Sequence, residues 1–218
     1  MVLLAASRVE GNLPEYESFH YELWKVLVNK ELNFDFIGTV KDKGFYPDNL
    51  GNVFDYDYEG RSGWTAEEIK NNIHGWIKKT GSPHIIVFSS PGGNDALINL
   101  PYESTISHIN KIISIVQDYN NTCKIILELP APSHSEIFKG KSKEYFNKLQ
   151  NDILTIASTQ TNEKSEVLTV NMFKGFWDSM LADDAHYKTY GAKFIATRHF
   201  EILKPLLNKK WILKKPCN

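Results

Sequence analysis

The sequence predicts an α/β fold in which a five-stranded parallel sheet lies between two layers of helices. Three observations carry this. Apolar runs of strand length alternate with segments of helical period along almost the whole chain. The clearest runs are apolar throughout, as strands covered on both faces require. No internal repeat or low-complexity tract interrupts the alternation. Right-handed crossovers then bring the C-terminal end of every strand to one rim, the edge of an open α/β sheet where ligands bind.

The first strand is Val2 to Ala6, which stops at Ser7 before a polar turn closed by Gly11. A serine on that rim is a candidate nucleophile; taken alone it is more readily a cap for the segment that follows. Tyr16 to Val28 repeats Phe19, Leu23, Trp24, Leu27 and Val28 at helical spacing. Asn33 to Val40 alternates and reads as the second strand, and Lys41 to Tyr58, rich in Gly, Asp, Asn and Tyr, reads as a long functional loop. Thr65 with Glu68 has the spacing of a capping box, starting a helix that runs to about Lys79 and leaving Gly63 at its entry. His84 to Ser89 is a buried strand that breaks at Pro91-Gly92-Gly93-Asn94-Asp95. A helix from Thr105 to Tyr119, a strand from Lys124 to Leu129 and a helix from Ser142 to Ala157 follow. Val167 to Asn171 is the fifth strand, and after a loop from Met172 to Ala185 a last helix spans Tyr187 to Leu203, ended near Pro205.

Composition narrows the function. The chain's 218 residues suit one globular domain, residues 1–218, and 25 Lys and Arg against 26 Asp and Glu give no field that argues for nucleic acid or an anionic membrane. A small neutral ligand is the expected partner. No segment reaches the roughly 18 continuous apolar residues of a membrane span, and the apolar start lacks the basic flank of a signal peptide, so a cytoplasmic protein is expected. Cys123 and Cys217 read as free thiols. His20, His74, His84, His108, His134 and His199 show no ligand spacing, so neither a metal nor a cofactor is expected.

Near the C-terminus, Asp183 stands three residues before His186. That spacing lets the carboxylate hold Nδ1–H and leaves Nε2 free to take a proton from a hydroxyl. For this pair alone, an acidic helix entry with a satisfied histidine is the simpler reading.

Ser7, Gly63, Asn94, Asp183 and His186, in this order, resemble the SGNH branch of the GDSL esterase and lipase superfamily. Its first block is matched by Ala5-Ala6-Ser7 with Glu10-Gly11, and its second by Glu59 to Thr65. The third is matched by Gly92-Gly93-Asn94-Asp95, and the Asp-x-x-His block by Asp183 to His186. Ser62-Gly63-Trp64-Thr65 followed by Glu67-Glu68-Ile69 is most similar to the family 3 carbohydrate esterases, which deacetylate xylan and related sugars.

The resemblance implies a flavodoxin-like three-layer sandwich. It further implies an ester hydrolase whose nucleophile is Ser7, with His186 as base and Asp183 orienting it. The oxyanion hole would be formed by the N–H groups of Ser7 and Gly63 and the amide of Asn94. Expected substrates are short acyl, chiefly acetyl, esters of carbohydrates or small alcohols. Trp64, His134, Trp177 and Tyr187 are candidates to line the site, with plain packing as the competing reading of each.

The chain departs from the family most at Ala6, where an aspartate is usual. Alanine accepts no hydrogen bond there, which predicts a looser turn and slower catalysis. It also leaves open a second reading, a sugar- or acyl-binding module without turnover. A lipid-directed hydrolase is disfavoured, since no amphipathic surface segment is present.

Overall fold

A computed structural model describes residues 1–207. In chain order it contains β1 (Val2–Ala5), the single-turn α1 (Ser7–Glu10), α2 (Phe19–Asn29), β2 (Val40–Lys41), β3 (Asp57–Gly60) and α3 (Ala66–Thr80). There follow β4 (Ile85–Phe88), α4 (Gly93–Leu97), α5 (Tyr102–Tyr119), β5 (Lys124–Leu129), α6 (Gly140–Gln160), β6 (Val167–Asn171), a 3₁₀ turn at Asp178–Met180 and α7 (Thr189–Leu203).

The strands form one sheet of order β2-β3-β1-β4-β5-β6. Every neighbouring pair is parallel except β2 with β3. In β1 the period of two divides the side chains: Leu3 and Ala5 enter the core beneath α2 and α7, while Val2 and Leu4 enter the one beneath α3, α5 and α6. Phe19, Leu23, Leu27 and Ile195 fill the first layer; Ile73, Ile109, Ile113, Leu149 and Ile153 fill the second. The α3 entry is closed by the expected capping box, with Thr65 and Glu68 satisfying each other's N–H groups. Among the described residues no helix is long and apolar enough to cross a membrane.

The sheet has six strands rather than five, and the second strand is misplaced in the sequence reading. Asn33 to Thr39 is not a strand; it runs beside the sheet with Phe36 buried, and only Val40–Lys41 pairs, antiparallel to β3. The place next to β1 belongs to Asp57–Gly60, within and just after the supposed loop, through Leu4 opposite Glu59 and Ala5 opposite Gly60. Charge hides this strand from a hydropathy reading. Glu59 is buried because Thr39 N–H and its hydroxyl donate to the carboxylate and Arg61 pairs with it at 2.7 Å. A Cβ on Gly38 would stand 1.9 Å from the Tyr58 carbonyl oxygen, so this close passage requires glycine.

The helix boundaries moved as well. The helix expected from Tyr16 starts at Phe19, after the Ser18 cap, whose hydroxyl accepts from His20 N–H at 3.0 Å. The helix expected from Thr105 starts at Tyr102 behind Pro101. The short helices α1 and α4 were not anticipated, being too brief to show a period. Among the described residues Cys123 is buried and without a disulfide partner, its thiol pushed up to about 12 chiefly by burial; Cys217 lies outside them.

Candidate active site

Ser7 follows β1 after the single residue Ala6 and opens α1, so it stands at the C-terminal rim of the sheet. His186 precedes α7 on the same rim, and its Nε2 lies 2.8 Å from Ser7 Oγ across 179 residues of sequence. Its Nδ1 lies 2.7 Å from Asp183 Oδ2. A carboxylate only accepts, so Nδ1 carries the proton and Nε2 is left to accept from the serine hydroxyl.

The Asp183 carboxylate is itself held. Partial burial pushes it upward, but the N–H groups of Ala185 and His186, at 2.8 and 2.7 Å, and the imidazole outweigh burial and keep it below the usual carboxylate range. One face of the imidazole is braced. The Tyr16 ring stacks on the His186 ring at 3.9 Å between centroids and 15° between planes.

Gly63 and Asn94 come from two separate loops that are tied together. Asn94 Nδ2 donates to the Trp64 carbonyl at 2.8 Å, which leaves its second amide proton free of that bond. Buried Asp95 accepts from Ala66 N–H at 2.9 Å and from the Thr105 hydroxyl at 2.9 Å, joining α4 to the start of α3. Glu10, in the first block, accepts from Ser62 N–H and so joins α1 to the same loop. Gly63 has φ +77°, and the space a Cβ would enter is empty. Among the described residues the Ser7 and Gly63 N–H groups have no acceptor, as donors awaiting a ligand oxygen would.

The Ser7 turn is held by backbone groups and by Arg8, without a side-chain acceptor at Ala6. The Ala6 carbonyl accepts from Val9 and Glu10, and the adjacent Arg8 sends Nε to the Ala185 carbonyl at 2.9 Å, Nη1 to Ala131 at 2.7 Å and Nη2 to Pro132 at 3.1 Å. Beneath the rim, Glu128 of β5 accepts from Ser89 Oγ, Ser90 N–H and His199 Nε2, and both Glu128 and His199 are 0% exposed. This cluster anchors the loop that leads to Asn94.

All five expected site residues therefore lie on one rim, three of them in a continuous hydrogen-bonded relay. The expected lining residues fare differently. Tyr187 is fully buried beneath Arg8 and is a packing residue, whereas Trp64 packs on Trp76 at 5.3 Å and also lines the cleft beside Ser7. Trp177 is 68% exposed, and His134 sits 3.7 Å from Asp178. Sequence reasoning missed Arg8, Tyr16 and Glu128. Only the adjacency of Arg8 to Ser7 was available as a signal.

Ser7, Ser90, Gly92, Gly93, Asn94 and Phe146 help line a cleft of about 30 Å³. That is roughly two to three times what one water molecule needs.

No family model and no curated protein matches the sequence. Solved structures do. A family 3 carbohydrate esterase from Talaromyces cellulolyticus aligns with a TM-score of 0.80 at 27% identity, covering 94% of this chain and 96% of that one. An acetyl esterase serine-to-alanine mutant, solved with an acetate ion, gives the same values. The Clostridium thermocellum family 3 carbohydrate esterase aligns at TM-score 0.75 and 24% identity over 95% of this chain and 98% of its own. A lipase/acylhydrolase from Enterococcus faecalis, at 0.69 and 16% over 96% and 97%, shares the fold. The resemblance read from the sequence blocks is thus met by the whole architecture.

Proposed function

We propose that this chain, built on the fold of the SGNH/GDSL hydrolases and the family 3 carbohydrate esterases, is a serine esterase that removes short acyl groups, foremost acetyl, from a carbohydrate or other small alcohol. The observation that carries this reading is the relay from Asp183 through His186 to Ser7, at 2.7 and 2.8 Å.

In the proposed reaction Ser7 Oγ attacks the ester carbonyl while His186 Nε2 takes the hydroxyl proton, and Asp183 stabilises the imidazolium that forms. The charge developing on the carbonyl oxygen is met by Ser7 N–H, Gly63 N–H and the free amide proton of Asn94. Collapse of the tetrahedral intermediate breaks the bond to the alcohol oxygen, which leaves with the proton from His186. Water, deprotonated by His186, then attacks the acyl-serine and releases the acid and Ser7. The small cleft beside Ser7 suits a two-carbon acyl group.

A serine-directed fluorophosphonate, with the adduct located by mass spectrometry, tests the reading together with acetate release from acetylated xylose. We expect an adduct on Ser7, absent in His186→Ala, and acetate release that Ser7→Ala abolishes. An unlabelled Ser7, and equal slow release by wild type and Ser7→Ala, would overturn the esterase reading. That result would favour the binding module suggested by Ala6.

A further inference from the structure

The chain between α1 and α2, residues 11–18, carries Tyr16 to the face of the His186 ring. This loop closes on itself, the N–H groups of Asn12 and Tyr16 each donating to the other's carbonyl at 3.1 Å. It is then tied to the segment that carries the base. Glu17 N–H donates to the Tyr187 carbonyl at 2.9 Å, and the Thr189 hydroxyl donates to the Glu17 carboxylate at 2.7 Å. The residue beside Tyr16 is thus bonded to the residues one and three beyond His186.

The relay itself leaves work for such a contact. Asp183 and Ser7 meet the imidazole at its two nitrogens, at 2.7 and 2.8 Å, and bonds at those two points leave the ring free to tilt about the line between them. A second ring lying 3.9 Å away and 15° from parallel blocks that tilt on its side. A tyrosine ring also presents a negative face, which attracts an imidazolium more than a neutral imidazole. The phenol stays uncharged while the imidazole takes its proton, because burial first, and then the carboxylates of Glu10 and Asp183, push it above its ordinary value.

We propose that Tyr16 is a positioning residue for the base: its ring holds the His186 imidazole in the line from Asp183 to Ser7 and steadies the positive charge that the imidazole gains as Ser7 attacks. The kinetic half of this inference rests on the esterase reading; the stacked pair does not.

Tyr16 is half-buried and belongs to neither core layer, so replacing it leaves the sheet and its helices packed. Tyr16→Leu should lower kcat toward a chromogenic acetate by about tenfold and move KM by less than about twofold, since the charge it meets exists only after attack. Tyr16→Phe keeps the ring and should restore kcat to within about threefold of wild type. Unaltered kcat in Tyr16→Leu, a loss carried by KM, or a Tyr16→Phe protein as slow as Tyr16→Leu overturns the proposal.

A second measurement needs no turnover. The Nδ1 proton that His186 shares with Asp183 should give a far-downfield proton magnetic resonance, assigned by its absence from His186→Ala. The signal should remain sharp in wild type and Tyr16→Phe and broaden away in Tyr16→Leu, where a tilting ring lets the proton exchange with water. An equally sharp signal in Tyr16→Leu overturns the proposal. Failure of wild type to hydrolyse any acetate ester, with the signal still dependent on the Tyr16 ring, would sink the esterase reading and leave the positioning contact standing. Normal hydrolysis by both wild type and Tyr16→Leu would do the reverse.

Discussion

Arg8 Nε donates to the Ala185 carbonyl at 2.9 Å, which joins the residue after the proposed nucleophile to the residue before the proposed base. The same guanidinium holds Ala131 and Pro132, and its ring of partners makes the Ser7 turn, the β5 exit and the His186 loop one unit. A planar fork with several donors is required for this, so lysine is no substitute. Arg8→Lys and Arg8→Leu should each cost about 3 kcal/mol of stability, since buried carbonyls lose their donor. Urea unfolding measures that loss, and kcat toward a chromogenic acetate should fall more than KM changes. Unaltered kcat in a folded Arg8→Leu protein would remove its positioning role.

Asp183 holds the imidazole through Nδ1, so exchanging its carboxylate for an amide disturbs the tautomer while keeping shape. Asp183→Asn should lower kcat by about 10⁴-fold, a smaller loss than Ser7→Ala causes, with little change in melting temperature. Steady-state kinetics beside calorimetry checks both halves of the statement.

Asn94 Nδ2 is pinned by the Trp64 carbonyl, which aims its second proton without substrate present. Asn94→Ala should reduce kcat by about 10²-fold to 10³-fold with KM nearly constant, because the donor acts on charge that appears only in the transition state. A rise in KM with unchanged kcat would instead assign the residue to ground-state binding.

Glu128 and His199 form a buried pair at 2.7 Å, and Glu128 also holds Ser89 and Ser90 ahead of Asn94. Removing one member strands the other. Glu128→Leu should cost about 3 to 5 kcal/mol, whereas Glu128→Leu combined with His199→Phe should recover part of it. A double-mutant cycle in urea reads the coupling.

His20 lies fully buried among Phe36, Phe54 and Tyr58, neither ring nitrogen has a partner among the described residues, and burial lowers it from 6.5 to about 3. The unfolded chain therefore binds a proton that the folded chain refuses between those values. Its contribution to stability is fully present above about pH 6.5 and is lost as pH falls toward 3, by up to roughly 1.4 kcal/mol for each pH unit. Denaturation curves of wild type and His20→Leu at pH 7, 5.5 and 4 should diverge, with the variant losing less. Parallel curves would contradict the assignment.

The α/β class, the rim and the order of the site residues were legible along the chain. Burial on both faces writes continuous apolar runs into β4 and β5, and a helix packed on a sheet writes its period into α3 and α5, so both are local properties. The blocks around Ser7, Gly63, Asn94 and His186 were readable for a related reason: chemistry restricts residue type at a few closely spaced positions. Which strand lies beside β1 was decided only by the tertiary structure. Glu59 is tolerated inside the sheet because Thr39 and Arg61 converge on it, and a buried charge is defined by partners that no local pattern displays. The same holds for Arg8 and for Tyr16 against His186, whose places depend on carbonyls and rings brought close only when distant segments meet.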